Sequence, residues 1–484
     1  MAVGLLRDVL IVQKLGFSFY ADMILVVLLV PSVLENVLGF VARDTAAVAF
    51  SSAASRPSHE LARFAVVAAC VVVGIAFVIA GCLYLASEPL LRVLAPGWNP
   101  MQRAEAQPAV LLASAIVFLQ TVVYFFIGYE NFSGRYMVSA VRPMVLGLAG
   151  VAALYLAADS SVPVVFIASQ SIVMAMFALI LLIAYWRGNR LSIGLHTKSA
   201  GHAPSITFSV GVIPISALVV MLHQIPFVIE RSCATIVAPG AAILLSFVYR
   251  LVTIPLSLFA ASVLAMMVPA LLRERQSGAR SASRASQGLS ATLALGILSM
   301  GFFVAFKGYL PFLVGLVGIT VDSGVARFSD VVLAYSIGIP GFFVSLYLIK
   351  VGIVYEKSDL LLLPGVVGVS VQLLAAKTLV SLMGASGIAL ATSLFFISFS
   401  VLSFVALSKY IPLRVDCSLV FRAGAACLLA FSVVSALPKN ESGIGIVVAA
   451  LAFSGVLAVS MRYMGDARLM TRRYWQGLFY GDKQ

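Results

Sequence analysis

The chain has 484 residues, of which 62% are hydrophobic and only 11% are charged. Soluble proteins carry about a quarter charged residues, so this composition excludes a soluble globular enzyme and describes a polytopic membrane protein. A net charge of +13 would suit a nucleic-acid binder, but the basic residues are spread through short polar breaks between apolar runs.

A helix needs about 20 mainly apolar residues to cross the hydrocarbon layer. Such windows predict a short first helix within residues 2–19, then spans at 21–42, 64–91, 108–129, 136–158, 162–186, 205–229 and 241–272. The second half continues with 286–317, 328–355, 358–383, 385–408, 417–437 and 441–462, about fourteen helices in all. Runs this long and uniformly apolar give an all-α helical bundle rather than a barrel. Glycines with Lys307 or Lys377 interrupt the ninth and eleventh windows.

The longest polar connection, Gly188 to Pro204, follows six spans, and a Ser- and Arg-rich one, Arg273 to Gln287, follows the eighth. These breaks suggest an amino-terminal transmembrane lobe at 1–190, a cytoplasmic linker at 191–204 and a carboxy-terminal lobe at 205–410, each lobe of about six helices. Two additional helices at 411–465 and a basic tail at 466–484 complete the chain. Pro31, Pro143, Pro214, Pro226, Pro255, Pro269, Pro340 and Pro364 stand in the spans. They read either as ordinary kinks satisfied by neighbouring helices or as hinges for alternating access.

With the amino terminus assigned to the cytoplasm, one set of loops holds Arg43, Arg56, Arg63, Arg135, Arg187, Arg190 and Lys198, then Arg273, Arg275, Arg280 and Arg284. The opposite set holds only Arg92, Arg103, Arg231, Lys307, Arg327 and Lys439. This is a positive-inside pattern with both termini cytoplasmic. The tail's Arg468, Arg472 and Arg473 beside Trp475 also suit anionic lipid heads. No cleavable signal peptide is expected, because no n-region and cleavage site precede the first span. Cys70, Cys82, Cys233, Cys417 and Cys427 form no CxxC pair and read as small buried hydrophobes. His59, His196, His202 and His223 show no ligand spacing, so no metal is expected.

Arg250 stands out, since it lies near the start of the apolar stretch Ala241 to Leu272. A charge at membrane depth costs roughly 3 kcal/mol on insertion scales and usually faces a bundle interior or a wet cavity. Tyr249, Arg250 and Leu251 followed by IPLSLFAASVLAMMVPAL resemble the eighth-helix signature of the MurJ/MviN lipid II flippases, within the MOP superfamily of exporters. The opening LLRDVLIVQKLGFSFYADMILVVLLVPSVLENVL, the VLAPGW string at Val93 to Trp98 and IGYENFSGRYMVSAVRPMV at Ile127 to Val145 resemble further family segments in the same order. So do Ala334 to Asp359 and GASGIALATSL at Gly384 to Leu394.

That resemblance implies a V-shaped exporter of fourteen helices with a central cationic cavity, flipping an undecaprenyl-pyrophosphate-linked saccharide across the bacterial inner membrane. It makes Arg7 and Arg250 candidate pyrophosphate contacts and Asp8 and Asp22 the counterparts of the family's first-helix and "DAF" carboxylates; Glu230 stands where the family has an aspartate and reads either as a cation or proton site or as the neighbour of Arg231. Arginine suits a diphosphate because its planar fork gives bidentate, charge-assisted hydrogen bonds. The departures matter as well. Glu35 occupies the place of an essential second-helix arginine, FVARD replaces a family "EGAFS", Tyr249 replaces an aspartate, and the family's extended first helix is largely missing ahead of Met1. Arg142 introduces a charge before Pro143. Glu35 and Arg142 are therefore expected either to pair, or Arg142 is expected to take over the lost phosphate contact.

These departures favour a saccharide other than that of lipid II, such as an exopolysaccharide repeat unit, with lipid II as the alternative. A polysaccharide polymerase or glycosyltransferase is the competing class, but no aspartate pair or His and Glu cluster stands on a sizeable outer loop. A drug or metabolite exporter is a third reading. No cofactor is expected, and nothing resembles a P-loop, which leaves a Na+ or H+ gradient or the membrane potential as the drive. Expected partners are the lipid-linked saccharide, membrane lipids and polysaccharide polymerase or export machinery.

Overall fold

A computed structural model describes residues 2–40, 58–132, 137–158, 161–191, 212–255, 283–316 and 328–436, with single positions at 271, 274, 275, 318, 453 and 455. Among the described residues every regular element is a helix, and nine helices are long and apolar enough to cross a membrane. The predicted span 441–462 and the tail lie almost wholly outside the described residues.

In the first half α1 covers Ala2–Leu15, α2 Phe19–Val27, α3 Leu29–Phe40, α4 Ser58–Leu85, α5 Ser87–Leu94 and α6 Pro100–Phe132. Then come α7 Met137–Leu156, α8 Val162–Leu191, α9 Val212–Val237 and α10 Ala241–Val252. The second half contains α11 Ser283–Phe306, α12 Leu310–Leu316, α13 Phe328–Val354, a 3-10 turn at Ser358–Leu361, α14 Leu362–Met383, α15 Ala385–Ser408 and α16 Cys417–Ala436.

Among the described residues several of the predicted spans are interrupted. The segment Val73–Leu85 meets α5 at 75°, around Ala86, which is not helical (φ −95°, ψ 20°). Pro89 sits in the first turn of α5, where its missing N–H breaks no helical bond. The ninth span ends α11 at Phe306, turns through Lys307 to Tyr309 and resumes as α12. Lys377, by contrast, sits inside an unbroken α14.

The prolines separate by position. Pro31, Pro214 and Pro364 are each the third residue of a helix, where no intrahelical donor is lost. Pro143, Pro226 and Pro340 lie inside continuous helices, Pro255 follows α10, and Pro269 is outside the described residues. The cysteine expectation holds only for Cys427, which is buried. Cys70, Cys82 and Cys417 are exposed and Cys233 is half-buried, all as free thiols. A small, weakly polar side chain is as acceptable on a span's outer surface as in its core.

The chain divides into two compact units, Met1–Phe247 and Val248–Gln484. The first unit thus runs beyond the polar connection at 191–204, which apart from Leu191 lies outside the described residues. Its physical reason is that α9 packs on α3 and α5, with the amino-terminal helices. Within this unit α6 lies between α8 and α4, and α7 rests on α8 and α1.

In the second unit α13 is the central helix, packed on α15 and α11, while α14 covers α15 and α16 covers α11. Small residues bring these helices close. A Cβ on Gly341 would come within 2.8 Å of the Phe396 backbone, and one on Gly296 within 2.7 Å of Pro340 Cα. Ser393 Oγ also donates to the Ala334 carbonyl across the α13–α15 crossing at 2.7 Å. In hydrocarbon, where lipid tails are as apolar as leucine, such close approach and interhelical hydrogen bonding hold helices together. Gly341→Val should therefore cost about 1–3 kcal/mol of stability through overpacking, read as a lower melting midpoint of the purified protein in detergent. Gly308→Ala, at a position open to at least 4 Å, should melt like the parent.

Candidate functional site

Helix α1 carries Arg7 and Asp8 in contact. Arg7 Nε and Nη2 both donate to Asp8 Oδ1, at 3.1 and 3.0 Å. The Arg7 side chain is 18% exposed and Asp8 is buried. The guanidinium lies 5.9 Å from the centre of the Phe166 ring on α8, and Gly150 of α7 leaves room for the arginine stem. Arg7 is thus a neutralised cation packed against α7 and α8 rather than a charge left in a loop. One helical end further on, Lys14 Nζ donates to the carbonyls of Leu154 and Ala157 at the carboxy-terminal end of α7. A cation there complements the partial negative charge of the helix end.

Asp22 has a different task. Ser18 caps α2, placing Asp22 in the first turn and fully buried. Its two carboxylate oxygens accept from the backbone N–H groups of Gly240, at 2.6 Å, and Ile243, at 2.8 Å, at the start of α10. An anion satisfies the orphan donors and the positive end of that helix. Gly240 holds φ at +87°, and a Cβ there would overlap the Phe17 carbonyl, so this junction requires glycine.

The same end of the unit is closed by the Val93 to Trp98 string. Gly97 N donates to Thr235 Oγ1 at 3.3 Å, Ser232 Oγ donates to the Val93 carbonyl at 3.0 Å, and buried Trp98 meets Phe19 edge-on. Arg231 Nη1 donates to the Leu25 carbonyl at 3.0 Å, and neighbouring Glu230 is buried.

Glu35 and Arg142 pair directly. Arg142 Nη2 donates to Glu35 Oε1 and to the Tyr124 hydroxyl, and Tyr124 in turn donates to the same Glu35 oxygen at 2.9 Å. The guanidinium stands 4.5 Å from the Tyr124 ring centre, a cation–π arrangement. Arg142 is 4% exposed, whereas the Glu35 side chain is 39% exposed. Of the two alternatives read from sequence, the structure contains the pair. Next to it, Asn36 Nδ2 donates to Gln224 Oε1 on α9 at 3.0 Å. Neither Asn36, Gln224 nor Tyr124 was legible as a site residue, because each is polar without being charged and meets its partners only after α3, α6, α7 and α9 pack.

In the second unit Arg250 is half-buried on α10, and its carbonyl accepts from Thr253 Oγ1 at 3.2 Å. Tyr249 packs edge-on against Tyr335 and Phe342, with ring centres 5.7 and 5.8 Å away. Aromatic packing has thus replaced the carboxylate that the resemblance expects beside Arg250. A second polar cluster was not foreseen: Glu274 accepts from the N–H groups of Arg284 and Ala285 at the start of α11, and from the Tyr355 hydroxyl. Arg275 donates to the Val354 carbonyl and pairs with Glu356 at 2.9 Å. Among the described residues no group of three His, Cys, Asp or Glu side chains could hold a metal ion.

The Glu35–Arg142 pair yields a charge-swap test. Glu35→Ala or Arg142→Ala should each lower the melting midpoint in detergent, with Arg142→Ala the milder because it leaves the half-exposed carboxylate able to meet water. Glu35→Arg combined with Arg142→Glu should regain part of the loss. Single and double variants equally unstable would show that the pair's orientation, not its charge balance, is what the bundle requires.

A family model described as "Lipid II flippase MurJ" matches residues 11–449. Among solved structures, the lipid II flippase MurJ in an inward closed conformation is similar at a TM-score of 0.75 and 16% identity, over 96% of this chain and 97% of that one. An inward-facing multidrug resistance MATE family transporter of the MOP superfamily follows at 0.64 and 13%, over 90% and 95%. A Vibrio cholerae MATE transporter gives 0.53 and 15%, over 84% and 92%. At these identities the structures establish a shared fold. Curated proteins give no significant match. With the family model covering nearly the whole sequence, the chain belongs to the lipid II flippase MurJ family of membrane transporters.

Proposed function

We propose that this protein flips a polyprenyl-diphosphate-linked saccharide across the bacterial inner membrane, from the cytoplasmic to the periplasmic leaflet, with both its termini in the cytoplasm. A diphosphate cannot enter hydrocarbon bare, and a transporter for it must offer cations at membrane depth. Arg250 is the cation we assign to that task. Arg142 supports the first unit's surface through Glu35.

The observation that carries the choice of saccharide is the Glu35–Arg142–Tyr124 cluster. Where the resemblance expects a second-helix arginine, this chain has a carboxylate already neutralised by a buried guanidinium. Lipid II has one nearly uniform head group, and a flippase dedicated to it has no reason to give up a phosphate cation. A different saccharide on the same carrier, such as the repeat unit of an exopolysaccharide, fits this change, and a polymerase or export machinery would then receive the product. Lipid II is the second reading, favoured by the family match over residues 11–449. The drive belongs to the same proposal: buried Glu230, which stands where the resembling family has an aspartate, is the carboxylate we assign to a coupling H+ or Na+.

Deletion with analysis of secreted polysaccharide, beside complementation of a lipid II flippase depletion, separates the two saccharides. Loss of polysaccharide with no rescue of growth is expected; rescue of growth would reverse the assignment. Arg250→Ala at normal abundance should reduce export at least about 10-fold, the order expected for losing one charge-assisted contact. A fully active Arg250→Ala protein would remove the arginine from the mechanism.

A further inference from the structure

Helix α3 presents two adjacent polar residues, Glu35 and Asn36, inside the candidate membrane span Phe19–Val37. Tyr124 comes from the span Pro100–Ile127 and Gln224 from Pro214–Val237, so three separate spans contribute polar side chains to the first unit. Asn36 is exposed, and Glu35, Tyr124 and Gln224 are half-buried. Uncompensated polar surface at membrane depth is costly against lipid and is found where it meets a wet cavity or a ligand.

The cluster's own bonds fix what kind of ligand that is. Glu35 Oε1 is occupied by Arg142 and Tyr124, and Asn36 Nδ2 by Gln224 Oε1 and the Ser32 carbonyl at 3.1 Å. Among the described residues, Glu35 Oε2, Asn36 Oδ1 and Gln224 Nε2 make no hydrogen bond, which leaves acceptors beside a donor on one surface. The carboxylate and the guanidinium cancel in charge. An anion therefore finds no spare cation here, and a cation finds its carboxylate already paired. A neutral ring bearing hydroxyl and amide groups can use both kinds of group, the acceptors and the donor.

We infer that Glu35, Asn36, Tyr124 and Gln224 form a subsite for the neutral saccharide portion of the substrate rather than for its diphosphate. Glu35 Oε2 and Asn36 Oδ1 accept from sugar hydroxyls, and Gln224 Nε2 donates to a ring substituent. Arg142 and Tyr124 hold Glu35 in place and keep the subsite neutral. This inference rests on the flippase reading above.

The test uses the full-length protein in nanodiscs and two probes: undecaprenyl diphosphate alone, and undecaprenyl diphosphate bearing a single N-acetylhexosamine. The parent is expected to bind the sugar-bearing probe more tightly. Asn36→Ala and Gln224→Ala should each weaken that probe about three- to tenfold, the span of one or two ordinary hydrogen bonds, and leave the bare carrier unchanged. Gln224→Met, which keeps the side chain's length, serves as a second variant, and an unchanged melting midpoint shows that each protein is folded. Equal weakening of both probes would place a phosphate contact here and overturn the subsite, as would no change with either. A parent that binds neither probe would defeat the flippase reading on which the subsite depends. A parent that binds both probes equally would overturn the subsite and leave the flippase reading standing.

Discussion

A charge in hydrocarbon must find its counter-charge or a dipole inside the protein, and this requirement organises both units. Arg7 meets Asp8, Arg142 meets Glu35, Arg231 and Lys14 meet carbonyls, and Asp22 meets the start of a helix. Apart from the pair Arg7 and Asp8, neighbours on one helix, each such contact ties together elements that are distant in sequence. The apolar effect that drives a soluble core is absent between lipid-bathed helices, and polar pairing with close backbone approach takes its place. In the second unit Glu274 and Arg275 meet helix ends in the same way, while glycine contacts around α13 bring the helices close.

Much of this was legible in the sequence, and the reasons are local ones. Span positions follow from the length of apolar runs, and the expected break at Lys307 falls where α11 ends. Lys377 misled because a lysine can stand on a helix without ending it, its long stem carrying the ammonium away from the apolar surface. The Glu35–Arg142 pairing was one of two readings open in the sequence, since two opposite, expensive charges stood in separate spans where the resembling family has neither. By contrast the 75° break at Ala86 depends on a backbone conformation that no nearby Gly or Pro pattern announces uniquely. Asn36 and Gln224 carry no charge, so nothing in their own stretch marks them before α3 and α9 meet.

The departures from the resembling family act together. Tyr249 turns the site beside Arg250 into aromatic packing with Tyr335 and Phe342. Glu35 turns a cationic position into a neutral, hydrogen-bonding one. One scaffold can thus keep its helix arrangement while the polar chemistry of its inner surfaces is rewritten at a few positions, as expected when function resides in sites carried by a fold.

Asp22 has one more consequence. Because both of its oxygens are held by Gly240 and Ile243, the first turn of α10 is defined from outside itself, by a side chain on α2. Pulling the two apart by even a bond length would strand a buried carboxylate and two amide donors at once. Separation of α2 from the start of α10 is therefore costly, and the two elements are held as one.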